Sequence, residues 1–146
     1  MYKNPAPTTN VIVFDKTGNK ICLLKRNIEP HLGKLALPGG YVDYGEMIEQ
    51  AAIREVKEET GLDIELSEIL GVYSHPERNP SKHTISTVFI AKVIGGELTN
   101  SSEGEAFWLD VDRVTELAFD HNLILSHFRK WLENKTTSWS SKQLNI

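Results

Sequence analysis

Apolar and β-branched positions alternate with short polar breaks along most of this chain. Residues 10–15 (NVIVFD) and 20–26 (KICLLKR) predict two strands, and Lys16-Thr17-Gly18-Asn19 between them predicts a hairpin turn. Residues 27–34 predict a loop carrying Pro30 and Gly33. Residues 35–38 (LALP) then lead into Gly39-Gly40, where a tight backbone is needed. From about 46 to 60 the pattern becomes helical. Ile53 and Val56 are expected on the sheet-facing side, and Ala51 and Ala52 are small enough for close packing. Residues 64–74, with a bend expected at Gly71, and 84–94 predict two further strands. A polar, Pro-rich loop over 75–83 separates them, and Gly95-Gly96 ends the second. Residues 106–109 predict a short strand and 111–117 a short helix. Asp120 predicts the N-cap of a last helix over 121–134, with Leu123, Ile124, Phe128, Trp131 and Leu132 on its apolar face. Residues 135–146 form a polar tail, expected to fray apart from Trp139. Strands and helices alternate without a regular βαβ rhythm, which predicts an α/β fold: a mixed sheet covered by helices on both faces.

Composition narrows the class. A chain of 146 residues is long enough for one domain with a real core and too short for two ordinary ones. We read residues 1–146 as a single domain, with no internal repeat and no linker. The net charge is −4, and the 16 Lys and Arg residues form no dense cluster, so a nucleic-acid partner is not expected. An acidic chain can still hold a polyphosphate when a metal ion bridges the two. No apolar run approaches 18 residues, so no membrane-spanning segment is expected. The lone cysteine, Cys22, sits inside an apolar run and reads as a small buried hydrophobe. With no signal segment visible in MYKNPAPTTN, the expectation is a soluble cytoplasmic protein.

The candidate chemistry lies in GYVDYGEMIEQAAIREVKEETGL, residues 40–62. Glu55, Glu58 and Glu59 fall at i, i+3 and i+4 on the expected helix, within about 100° of one another. Two costs oppose such a grouping on a plain solvated face. Like charges at i,i+4 destabilise a helix. The last turn, just before the natural stop at Gly61, favours cations over anions. A bound hard divalent cation removes both costs, because carboxylate oxygens are its preferred ligands.

The same segment resembles the signature of the Nudix hydrolases, G-x5-E-x7-R-E-U-x-E-E-x-G-U with U aliphatic. Gly40, Glu46, Arg54, Glu55, Val56, Glu58, Glu59, Gly61 and Leu62 fill every fixed position. The resemblance implies an α/β/α sandwich and metal-dependent cleavage of a nucleoside diphosphate linked to a further group, with Mg²⁺ or Mn²⁺ as cofactor. It also implies Glu55, Glu58 and Glu59 as metal ligands and Glu46 as their support, with a contact to a second metal through water. Arg54 is expected to orient the carboxylates through its planar fork. A general base from a later loop is implied as well. Glu103 and Glu105 are the acidic candidates, and Glu105 is the preferred one.

Three segments outside the signature resemble the ADP-ribose pyrophosphatase branch of that family: Tyr2–Pro7, Tyr73–Thr84 and Ala118–His121. One position departs from it, because Leu35 stands where a Trp usually precedes Leu-Pro-Gly-Gly. The substrate implied is ADP-ribose or a related nucleoside diphosphate derivative, cleaved to AMP and a sugar phosphate. Gly39 and Gly40 would let backbone approach it or the helix, and Arg26, Arg78 and His83 would contact its phosphate or ribose. A solvated loop is the plain alternative for Arg78 and His83, and a helix cap is the preferred role for Asp120. A nucleoside triphosphate pyrophosphohydrolase and a non-catalytic ligand sensor remain as alternatives, and a homodimer stays open.

Overall fold

The computed structural model describes residues 2–141. Its strands are β1 (Ala6–Phe14), β2 (Lys20–Arg26), β3 (Leu35–Ala36), β4 (Gly39–Tyr41), β5 (Leu62–Tyr73), β6 (Thr84–Gly96), β7 (Gly104–Asp110) and β8 (Trp139–Ser140). Two helices complete it, α1 (Ile48–Thr60) and α2 (His121–Asn134). The sheet runs β3-β2-β1-β6-β5-β8, with β4 joined to β1 and β7 to β2. It is mixed: β1 lies parallel to β6, whereas β5 and β6 run antiparallel.

Strand alternation builds two cores from the same strands. Ile12, Ile21, Leu23, Val88 and Ile90 face α2 and pack on Ile124, Leu125, Phe128 and Trp131. Their neighbours Val11, Val13, Cys22, Leu24, Phe89 and Ala91 face α1 and pack on Ala52 and Val56. Because successive side chains point to opposite faces, each central strand serves both layers and is apolar on consecutive residues where the helices cover it, as in Val11–Phe14 and Val88–Ala91. This is the expected α/β/α sandwich.

Several local expectations change. α1 starts at Ile48, two residues late, because Asp43–Glu46 form a turn closed by Glu46 N–H to the Asp43 carbonyl at 3.0 Å. On α1 it is Ala51, Ala52 and Val56 that are fully buried, whereas Ile53 is 42% exposed. Residues 111–117 make only one 3₁₀ turn, Val111–Arg113. The tail does not fray at once. Trp139 and Ser140 pair with Gly71 and Val72 of β5, and Ser74 N–H donates to Ser141 Oγ at 2.9 Å. The Trp139 backbone lies so close to Gly71 that a Cβ there would stand 2.6 Å from it. The remaining tail, 142–146, lies outside the described residues.

Candidate active site

α1 ends against the strand pair that carries Gly39 and Gly40. Gly61 stops the helix in the left-handed conformation, φ 79°, with its N–H donating to the Lys57 carbonyl at 3.0 Å. This stop places the last turn of glutamates beside β4. Glu59 is buried, and its Oε1 accepts the Gly39 N–H at 2.8 Å. Gly40 packs on Glu55 so tightly that a Cβ would meet the Glu55 carboxyl carbon at 2.6 Å. Gly39 has φ 155°, and a Cβ there would collide with the Thr9 carbonyl. Both glycines are therefore demanded by close approach, as expected.

Arg54 organises the other carboxylates. Its Nε and Nη2 grip Glu46 in a fork at 2.7 and 2.9 Å, Nη1 donates to Glu55 at 3.0 Å and to Glu58 at 3.2 Å, and Nη2 also reaches the Tyr41 carbonyl at 3.1 Å. The fork holds the Glu46 carboxyl down at about 2, helped by the Asp43 N–H. One guanidinium thus ties α1 to the preceding loop and fixes the orientation of Glu55.

Glu55, Glu59 and Glu103 each offer a carboxylate oxygen, and the three oxygens lie within 4.8 Å of one another. The first two come from α1 and the third from the turn before β7. Burial pushes the Glu59 carboxyl up to about 9, the Gly39 N–H opposes this, and neighbouring Glu55 and Glu103 add to it. Glu55 is raised as well, chiefly by burial. Three acidic oxygens this close, one of them buried, fit a hard divalent cation such as Mg²⁺ or Mn²⁺. The donor set is all oxygen, and its mutual repulsion is what such an ion would relieve.

Some expected site residues are placed elsewhere. Glu105 is exposed within β7, in register with Lys25, and it is Glu103 that joins the cluster. Glu58 is 57% exposed and engaged by Arg54, outside the group of three. Glu46 serves Arg54 and likewise stands outside that group. His83 is exposed, with Nε2 2.9 Å from the Ser74 carbonyl. Arg78 is not a solvated loop residue. Its Nε and Nη2 grip both oxygens of Asp120, Nη1 donates to Thr84 Oγ1 at 2.7 Å, and its side chain is 4% exposed. Three of its five N–H groups are thus spent on protein, although Arg78 also lines the cavity described below. Asp120 occupies the N-cap position of α2 without a side-chain cap bond, because both its oxygens serve Arg78.

A cavity of about 260 Å³ runs from the carboxylates past Gly39 and Gly40 to Arg26, Phe119 and His121. Its walls mix apolar residues such as Leu24 and Leu37 with these polar groups, a pattern usual for small-ligand sites. His121 gives no signal in the sequence, yet it is buried here, and its Nδ1 accepts the Leu37 N–H at 3.0 Å. Burial and nearby Arg78 hold the ring neutral. It thus anchors the segment leading to Gly39-Gly40.

The NUDIX domain model matches residues 4–132, and the chain belongs to that family. It is 46% identical over 132 residues to an ADP-ribose pyrophosphatase of Methanocaldococcus jannaschii, covering 90% of this chain and 77% of that protein. It is 40% identical over 87 residues to a putative 8-oxo-dGTP diphosphatase of Bacillus subtilis, a match that spans 60% of this chain and about half, 53%, of that one. Among solved structures, a NUDIX hydrolase from Nitrosomonas europaea superposes with a TM-score of 0.81 at 26% identity, covering 95% of this chain and 78% of that one. The NUDIX domain of Shewanella oneidensis NrtR, complexed with ADP ribose, gives 0.78 at 25% identity, with 90% of each chain covered.

Proposed function

We propose that this protein is a Mg²⁺- or Mn²⁺-dependent pyrophosphohydrolase that cleaves ADP-ribose, or a closely related nucleoside diphosphate derivative, to AMP and a sugar phosphate. The observation that carries the proposal is the convergence of Glu55, Glu59 and Glu103 beside the close-packed Gly39-Gly40 backbone at one end of the cavity. The high identity to an ADP-ribose pyrophosphatase over most of both chains supports the substrate.

Each residue has a defined task. Glu55, Glu59 and Glu103 hold the ion, and Glu58 joins them by turning away from Arg54. A divalent ion held there neutralises diphosphate charge and makes a nearby water more acidic. Arg54, backed by Glu46, keeps Glu55 in place. Glu103, the exposed member, takes the proton of the attacking water as its oxygen bonds to phosphorus and the bridging oxygen leaves with the departing phosphate. Arg26, at the cavity wall, holds a phosphate oxygen. A cytoplasmic setting belongs to this reading. No helix among the described residues is long and apolar enough to cross a membrane.

The test is a substrate panel with product identification. ADP-ribose should show the highest kcat/KM and yield AMP, EDTA should abolish turnover, and Mg²⁺ or Mn²⁺ should restore it. Triphosphates that win the comparison and release pyrophosphate would establish the nucleotide-sanitising alternative. Tight ADP-ribose binding without turnover in either metal would establish a sensor.

A further inference from the structure

Two residues in unfavourable backbone conformations meet at the cavity. Phe119 has φ 54° and His31 φ 64°, in the left-handed region that bulky side chains rarely occupy. Their rings pack edge to face with centroids 4.6 Å apart. Over the Phe119 ring, 5.0 Å from its centroid, lies the guanidinium of Arg26. Arg26 Nε donates to the Pro30 carbonyl at 2.7 Å. Among the described residues Arg26 forms no ion pair, and its two terminal nitrogens make no hydrogen bond. Arg26 and Phe119 both line the cavity that contains Glu55, Glu59 and Glu103.

Strain of this kind persists only where surrounding structure enforces it. The enforcement is visible one residue on. Asp120 is clamped by both Arg78 nitrogens, at 2.7 and 2.9 Å, in a pair whose side chains are 4% and 6% exposed. The ring of His121 lies on the other side of the clamp, 5.3 Å from that of Phe119.

We propose that Phe119 is a positioning residue that acts through Arg26, holding the guanidinium at the cavity wall with its terminal donors free for a phosphate oxygen of the substrate. The choice of an aromatic partner has a physical reason. A carboxylate would orient Arg26 equally well, but it would consume the donors and neutralise the charge. A ring face attracts the cation and leaves both available. The neighbouring carboxylates, Glu29, Glu59 and Glu103, act on Arg26 only at a distance. This inference rests on the proposed diphosphate chemistry, though not on the identity of the sugar or base.

The experiment measures kcat and KM for ADP-ribose with Mg²⁺, together with calorimetric binding of inorganic pyrophosphate. The proteins are the wild type, F119L, F119W, R26Q, R26Q/F119L and R26Q/F119W. F119L should raise KM and the pyrophosphate Kd about three- to thirtyfold, the range of a partly desolvated cation–π contact, with a much smaller change in kcat. R26Q should raise both at least as far, and adding F119L to R26Q should change neither by more than about twofold. F119W should tighten binding in the Arg26 protein and have no effect beside R26Q. This arm serves even if F119L does not fold. Effects of Phe119 that persist undiminished in the R26Q background would overturn the positioning role. Pyrophosphate binding that follows the expected pattern while ADP-ribose is not cleaved would remove the proposed substrate and leave the role of Phe119 standing.

Discussion

Arg78 and Asp120 form a buried, two-pronged ion pair 42 residues apart in sequence, with Nη2 to Oδ1 at 2.7 Å and Nε to Oδ2 at 2.9 Å. The pair fastens the 75–83 loop to the start of α2, at the back of the cavity. A third nitrogen, Nη1, donates to Thr84 Oγ1, so all three guanidinium nitrogens are engaged by protein.

Arg78→Ala should therefore act on stability first. It leaves the Asp120 carboxylate buried and unpaired, which costs about 3–5 kcal/mol. Urea denaturation should show the loss. The double variant R78M/D120L should recover most of it, because removing both charges leaves no unpaired buried charge and only the Thr84 hydroxyl loses a partner. A stability near wild type for R78A, with only KM affected, would return Arg78 to the substrate.

Glu103 and Glu105 can be separated directly. Glu103→Gln removes the charge of one ligand and the proposed proton acceptor, and should lower kcat by about 10²-fold or more, the usual loss for a general base. Glu105→Gln alters an exposed strand position opposite Lys25 and should leave kcat within about twofold. Steady-state hydrolysis of ADP-ribose distinguishes them, and the reverse ranking would restore Glu105.

Glu59 predicts a pH dependence in the metal-stripped protein. Its folded-state carboxyl stands at about 9 against an ordinary value of 4.5. A raised carboxyl contributes stability that is fully present below pH 4.5 and is lost as pH rises toward 9, by at most about 1.4 kcal/mol per unit. In EDTA, Tm should fall steadily across that window, and Glu59→Gln should flatten the slope. Added Mg²⁺ should raise Tm by an increment that grows with pH, since binding requires the ionised form. A Tm independent of pH in EDTA would contradict this.

Gly40→Ala tests the close packing beside the cluster. The new methyl would meet the Glu55 carboxyl group at 2.6–2.7 Å, the movable end of a flexible side chain. Glu55 should swing aside and the fold should survive. Metal affinity, read by calorimetric Mn²⁺ titration, should weaken about 10–100-fold, as it does when support for a ligand is disturbed. Unchanged Mn²⁺ affinity would show that Glu55 need not hold this position.

Spacing along the chain determined a large part of this protein. The helical period put Glu55, Glu58 and Glu59 on one side of α1, and Gly61 fixed where that helix ends. The apolar runs in β1, β2 and β6 announced strands buried on both faces. Arg54 was legible as an organiser, because a fork-shaped cation among carboxylates has few other roles. Tertiary structure decided what spacing cannot encode. Glu103 and Glu105 are two residues apart and chemically alike, and only the pairing of β7 with β2 sets which one meets Glu59. The same holds for Arg78, whose charge looks available until the fold brings Asp120 against it. Phe119 became informative only once its positive φ and its contact with Arg26 were visible. Local sequence fixes the period and termini of an element through backbone geometry. Partners more than 20 residues distant are chosen by packing, which no local pattern records.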